Sequence, residues 1–334
     1  MPMVRLLVDS SAVTRNASRT VELARRLGCT VAGVTKGVAG HPEIARALLA
    51  GGVETLADSR LEHLERLRAA GIQAPLLLIR SPAPGDTART VELADSSLNA
   101  AVEVVEALSI EARMRGRTHG VILMVDLHTG REGLPPSQVP SAARRLGSLP
   151  GIRLLGLGAY FPMTAGLELL REGLETLVRL QRCVEAETER PLALLSGGSS
   201  NVFRILAVEG HPNPGINHLR IGTAMLLGFS SSLDPVTLPG YERDTFRLEA
   251  EVIEVKDGSE REAILALGTM ETEPRFLFPL QAGVAVRGAT SDHLVVRLPE
   301  AVRTGDRLAF RLGYPALCRL AASPYVSWEF ARPR

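Results

Sequence analysis

Eight times between residues 30 and 230 a short apolar run is followed by a longer amphipathic one. The apolar runs are 30–36, 55–58, 75–80, 95–99, 120–126, 153–160, 192–196 and 218–221. Few polar residues break them, which is the pattern of parallel strands covered on both faces. Between them, stretches such as 43–49, 61–70, 102–114, 137–146, 167–187 and 202–208 set apolar residues three and four apart. That is the period of an amphipathic helix. Eight strand–helix units over this length predict an α/β chain built on a (β/α)8 TIM-type barrel. A doubly wound open sheet is the alternative, because periodicity alone does not close a barrel.

The pattern changes after Gly228. Residues 230–240 hold two prolines, three serines and a glycine and read as a linker. Beyond Arg247 the runs are short and strand-like, at 248–255, 263–267, 284–287, 293–298 and 307–312. The chain is therefore expected to divide into a barrel over 10–232 and a small all-β C-terminal domain over 233–334. A strand at 3–9 precedes the barrel and is assigned to the β domain.

Charge narrows the function. Lys+Arg is 38 and Asp+Glu is 37, for a net charge of +1, which argues against nucleic acid as a partner. No apolar run is long enough for a membrane span, and the N-terminus enters a strand without a signal peptide. Cys29, Cys183 and Cys318 are too few and too scattered for a disulfide framework or a zinc site. A reducing cytoplasm and no bound metal are the expectations.

Of the 38 basic residues, 36 are arginine; the lysines are Lys36 and Lys256. A chain that uses arginine for almost every positive charge leaves its few lysines as candidates for chemistry a guanidinium cannot do. A lysine can lose its proton and act as a nucleophile. Lys256 sits where a strand runs into the turn Asp257-Gly258. Lys36 ends the first barrel strand, where active sites of this architecture are built. Partial burial there would lower its pKa and prepare the amine for imine formation.

The other strand ends form a polar ring: Asp58-Ser59-Arg60, Arg80, Asn99, the stretch from Asp126 to Gly133, Tyr160, and Ser196-Gly197-Gly198-Ser199-Ser200. The eighth strand, His218-Leu219-Arg220-Ile221-Gly222, completes it. A glycine-rich turn between strand and helix lets amides approach an anion, and the last two loops of a barrel are a common phosphate site. Read the other way, the turn is a helix cap. A phosphate site facing an imine-forming lysine leaves two classes open, a pyridoxal-phosphate enzyme and a sugar-phosphate aldolase.

Val34-Thr35-Lys36, Ala57-Asp58-Ser59-Arg60, Ser196-Gly197-Gly198 and His218-Leu219-Arg220-Ile221-Gly222 together resemble the alanine-racemase-type, fold type III pyridoxal-phosphate enzymes. The stretches 126–133, 217–222 and 290–293 are most similar to the ornithine/lysine racemase branch. The resemblance implies a pyridoxal 5'-phosphate-dependent amino-acid racemase, an isomerase that removes and returns the Cα proton through an external aldimine. Lys36 would hold the cofactor and serve one face. Ser196, Gly197, Gly198, Ile221, Gly222 and Tyr325 would surround the phosphate, and Arg220 would face the pyridine nitrogen. Arg131 would meet the cofactor's phenolate side or the substrate carboxylate, and Tyr160 would stand near the ring arginine.

A homodimer is implied too, with the second proton group on the partner's β domain. The family's tyrosine there is missing from Leu267-Gly268-Thr269-Met270-Glu271. His293 and Glu271 are its candidate replacements, with Ser291 and Asp292 as candidate substrate contacts. Read structurally, Asp292-His293 is a polar turn. A non-catalytic cofactor carrier is disfavoured by the β domain. A fold type III D-amino-acid lyase is disfavoured by the missing metal cluster.

Overall fold

The computed structural model describes residues 3–127, 129–162, 165–230, 236–258, 260–298 and 302–331. The chain opens with β1 (Val4–Val8) and α1 (Ser10–Arg26). Strand and helix then alternate: β2 (Thr30–Val34), α2 (Pro42–Ala50), β3 (Thr55–Asp58), α3 (Leu61–Ala69), β4 (Leu76–Leu78), α4 (Thr87–Leu93), β5 (Ser96–Asn99), α5 (Val102–Met114) and β6 (His119–Val125). There follow α6 (Val139–Gly147), β7 (Ile152–Ala159), α7 (Leu167–Thr188), β8 (Leu194–Ser196), α8 (Ser200–Phe203), β9 (His218–Ile221) and α9 (Thr223–Leu227).

Strands β2 to β9 pair in parallel in chain order, and β9 returns to β2 with Thr30 opposite His218 and Gly33 opposite Ile221. The barrel is closed, so the open sheet is excluded. The boundaries expected from sequence run long at β2, β4, β5 and β8, match at β3 and β9, and are shifted by one residue at β6 and β7. Helix α4 completes the third of the eight expected strand–helix units, although its seven residues, TARTVEL, carry only a short apolar stripe. The expected helix over 202–208 becomes α8 followed by a π-helical turn, Arg204–Val208.

The chain forms two compact units, one of residues 17–36 and 40–222, the other of 1–16, 37–39 and 223–334. In the first, Ala32, Val34, Ala57, Leu77, Leu98, Ile122 and Met124 form a buried cluster from β2 to β6, with Leu155, Tyr160 and Leu194 packed against it. This is the barrel interior. Outside, α7 buries Leu170, Leu174, Leu177 and Val184, spaced as one helical face requires. The seam between β7 and β8 depends on Gly156: a Cβ there would lie 1.7 Å from the Leu194 carbonyl oxygen.

The second unit is a sheet of β1 with β10 (Phe246–Lys256), β11 (Glu262–Leu265), β12 (Leu277–Pro279), β13 (Ala285–Ala289), β14 (Leu294–Arg297), β15 (Arg307–Leu312) and β16 (Ser327–Phe330). Strand β10 is its spine. Its first half pairs with β1 and β15, and its second half with β11. Strand β1 pairs in parallel with β16 on its other side. Leu6, Leu248 and Phe310 lie opposite one another across three strands and are fully buried. This unit is not all-β, since it contains α10 (Tyr314–Ala322), which buries Ala316, Leu317 and Leu320. Among the described residues no helix is long and apolar enough to cross a membrane.

Replacing Gly156 with alanine forces β7 and β8 apart, because the new methyl meets backbone rather than a side chain that can turn away. Gly156→Ala is expected to lower unfolding stability by about 3 kcal/mol. Urea denaturation of the purified variant checks this; an unchanged midpoint refutes it.

Candidate active site

Parallel strands deliver their last residues to one mouth of the barrel. Lys36 follows β2 there and opens a single 3-10 turn. Its side chain is exposed, so the partial burial expected from sequence is not found. The reason is that β2 ends at Val34, inside the barrel, and the chain has already left the sheet for the 3-10 turn at Lys36.

Thr35 is fixed firmly. Its amide donates to Ala57 O at 2.9 Å, and its hydroxyl donates to Asp58 Oδ2 at 2.7 Å. Asp58 is fully buried. Its other oxygen accepts the Ser59 amide at 2.6 Å and the Arg60 amide at 3.1 Å and lies 2.9 Å from His63 Nδ1. The loop then turns at Gly40, whose φ of +63° and close approach to His63 exclude a side chain. This network sets where Lys36 begins. Lys256, by contrast, ends β10 as an exposed surface lysine.

On the neighbouring strand β9, Arg220 lies opposite Ala32 of β2 and donates to Ala159 O at 2.9 Å and to Ser196 Oγ. Ser196 Oγ also lies 2.8 Å from His218 Nδ1. Burial, aided by the Arg220 charge, pushes His218 down to about 3. Burial pushes Arg220 down to about 10, opposed by Glu132, so Arg220 remains a cation at neutral pH while His218 is neutral. Ser196 is therefore committed below the arginine. It is Ser199, three residues on, whose hydroxyl is buried without a protein partner among the described residues.

Gly197 and Gly198 carry β8 into the turn, with Gly197 N donating to His218 O at 3.0 Å and Arg220 N to Gly198 O at 2.7 Å. Gly198 has φ +122°, and a Cβ on Gly197 would lie 2.4 Å from Ile216 Cδ1. Ile221 is fully buried. A Cβ on Gly222 would be 3.1 Å from Val34 O, which shows how closely the end of β9 approaches the end of β2. The glycines bare a backbone cradle, and Ser199 offers an unsatisfied hydroxyl. These features fit a phosphate, and the braced Arg220 fits the ring of the same cofactor. The parity of β8 could have revealed Ser196's direction: Leu194 packs inward, so Ser196 does too.

Arg131 lies with its guanidinium 4.3 Å from the Tyr160 ring centroid and pairs with Glu132 at 3.1 Å. Asp126 Oδ1 organises the loop before it, accepting the Thr129 amide at 2.7 Å. His128, in the same stretch, lies outside the described residues.

The remaining candidates belong to the second unit, and the structure brings most of them together. The Thr269 amide donates to Thr290 O at 2.9 Å and the Met270 amide to Ser291 O at 3.0 Å. A Cβ on Gly268 would lie 2.1 Å from Ser291 O. Glu271 is taken up within its own loop, where Oε2 accepts the Gly268 amide at 2.8 Å. His293 and Asp292 stand exposed in the turn between β13 and β14, and Asp292 accepts the Ser291 hydroxyl at 2.6 Å. Tyr325 is 73% exposed. Among the described residues no group of three or more His, Cys, Asp or Glu is placed to hold a metal.

The model for the alanine racemase N-terminal domain matches residues 8–229. The chain belongs to the alanine racemase family. Enzymes of that family use pyridoxal 5'-phosphate. A protein named lysine racemase from Thermotoga maritima is 31% identical over 96% of this chain and 97% of its own length. One named ornithine racemase from Acetoanaerobium sticklandii is 27% identical over 97% of this chain and 99% of its own. The alanine racemase family fold is seen again in the crystal structure of alanine racemase from Corynebacterium glutamicum, with a TM-score of 0.81 at 16% identity over 99% of this chain and all of that one. D-threonine aldolase from Filomicrobium marinum shares it too, with a TM-score of 0.79 at 15% identity over 96% of this chain and 91% of that one.

Two buried imidazoles give the barrel a defined acid response. Burial pushes His119 down to about 4 and His218 to about 3, whereas both titrate near 6.5 when unfolded. Below about pH 6.5 the unfolded chain takes up protons that the folded chain refuses, so stability falls as pH falls toward 4. Urea midpoints measured from pH 7 to 4.5 should drop, and less steeply in His119→Asn. Equal slopes in the two proteins contradict this.

Proposed function

We propose that this chain is a pyridoxal-phosphate-dependent amino-acid racemase acting, as a homodimer, on an amino acid with a second amino group on its side chain. The observation that carries the reading is one lysine amine at a barrel mouth that also holds a braced arginine and a glycine cradle. The substrate class is supported by the two relatives named for lysine and ornithine, which match almost end to end. In sequence, the relatives named alanine racemase match shorter stretches, such as 79% of this chain in Syntrophobacter fumaroxidans and 42% in Mycobacterium avium.

Gly198, Ser199 and Gly222 would hold the phosphate, and Arg220 the ring. When bound, pyridoxal phosphate supplies an aldehyde carbon for an amine and an electron sink that acidifies the Cα–H of an amino acid. Lys36 Nζ would provide the amine that holds the cofactor and would take or return the Cα proton on one face. Arg220 stays charged at neutral pH and so gives the ring no proton. A weaker sink suits simple proton removal and return. Arg131 supplies a cation for a carboxylate or phenolate. The second face needs a second proton group. His293 is the better of the two candidates, because its ring stands in a turn facing solvent, whereas Glu271 is occupied with the Gly268 amide.

Borohydride reduction of the cofactor-loaded protein should fix the cofactor to the peptide containing Lys36. Lys36→Arg should keep the charge and lose racemisation of lysine and ornithine. A label on the Lys256 peptide, or a Lys36→Arg protein with full activity, sinks the site assignment.

His293→Asn, run in heavy water with each enantiomer separately, tests the second face. Deuterium should still enter Cα of one enantiomer through Lys36 while net conversion collapses. Unimpaired conversion would remove His293 and move the role to Glu271 or to Lys36 alone.

A further inference from the structure

At the end of the barrel opposite Lys36, the strand beginnings surround a cavity of about 620 Å3. Its wall is apolar, made by Val31, Leu77, Ile122, Leu155 and Leu194. Four charged side chains line it as well, Glu54 and Asp95 on the β3–β5 arc and Arg153 and Arg190 on the β7–β8 arc. The two acids are already engaged. Asp95 Oδ2 accepts from Arg68 Nη2 at 2.7 Å and from the Leu76 amide at 2.8 Å, and Glu54 pairs with Arg25 at 3.6 Å. The arginines are not. Among the described residues neither has a carboxylate partner, and the Arg190 side chain donates only to Gly147 O at 3.0 Å. The charge left available at this cavity is positive.

A polar group also reaches the cavity from within the barrel. His218 lines it and is only 5% exposed. Arg220 donates to Ser196 Oγ, so the Ser196 hydroxyl proton goes to His218 Nδ1, 2.8 Å away. The proton of the neutral ring then sits on Nε2. That N–H has no protein partner among the described residues, and the ring that carries it lines the cavity. It opens on the cavity as a single buried donor.

An unpartnered donor at the inner end, an apolar wall and two unpaired arginines define a ligand. We propose that this cavity binds a carboxylate on a slim apolar chain with a hydrogen-bond acceptor at its far end, the class of ω-hydroxy or ω-oxo carboxylic acids. The carboxylate meets Arg153 and Arg190. The chain lies along the leucines. The terminal oxygen accepts from His218 Nε2. This assignment stands apart from the racemase reading, since none of its contacts lies at the Lys36 mouth.

Isothermal titration calorimetry of the cofactor-loaded protein tests it, with 8-hydroxyoctanoate, octanoate and octan-1-ol as probes. The hydroxy acid should bind once per chain, and each of the other two about tenfold more weakly, each having lost one polar anchor. Arg153→Glu should weaken the hydroxy acid by at least about tenfold, and Leu194→Phe should exclude it by filling the cavity. Thermal melts show whether each variant is folded, and Arg153, being exposed, is the variant that decides if Leu194→Phe is not. No saturable heat from the hydroxy acid overturns the proposal. So does binding that survives Arg153→Glu, which places the ligand elsewhere, and so does octanoate binding as tightly as the hydroxy acid.

Discussion

A guanidinium inside a barrel must be hydrogen-bonded from more than one side, because burying an unpaired charge costs far more than a fold of this size can spare. Arg220 meets that demand through Ala159 O on β7 and Ser196 Oγ on β8. The demand propagates. Ser196 must point inward, His218 must stay neutral to accept its proton, and two glycines must follow so that the β8 loop runs beside β9. The barrel interior is divided as a result. Strands β2 to β6 fill it with aliphatic side chains, while β8 and β9 place hydroxyl, imidazole and guanidinium together. The polar side chains of the interior gather on β8 and β9, and the aliphatic cluster that starts on neighbouring β2 supplies the packing beside them.

The same logic explains what could be read from residues alone. The barrel was legible because parallel strands buried on both faces carry a strong, repeated apolar signal, and Lys36 was legible because lysine is so scarce. Helix α10 was not, because it begins Tyr-Pro within a run of short strands, and the bounds of α4 were not, because its seven residues carry only a short apolar stripe. Ser196 was read as part of the phosphate turn because the motif Ser-Gly-Gly-Ser-Ser offers three hydroxyls, and only strand parity separates the inward one from the others. Asp58 was seen as a strand-end acid. That it serves Thr35, two amides and His63 depends on the pairing of β2 with β3, which no local pattern encodes.

In the second unit, the loop at 268–271 and the turn at 290–293 are far apart in sequence but share backbone hydrogen bonds. Gly268 permits this, since any Cβ would strike Ser291 O. Arg319 on α10 adds a clamp, donating to Thr269 O at 2.9 Å. A turn that reads as a polar strand start is thereby made part of a fixed surface. Glu271 is spent in building that surface, which separates the two acid–base candidates more sharply than their intrinsic acidities do.

Strand β1 precedes every barrel strand, yet both of its neighbours, β10 and β16, follow the barrel in sequence. The barrel strands lie between them in sequence and pair only with one another. During synthesis, then, the barrel has everything it needs before the sheet does, and β1 must wait first for β10 and then for β16. Long-range pairing of this kind is slow to form, and an exposed strand edge is prone to join the wrong partner. The order of elements makes the last strand a checkpoint: a nascent chain that stops short of residue 327 leaves β1 with one open edge.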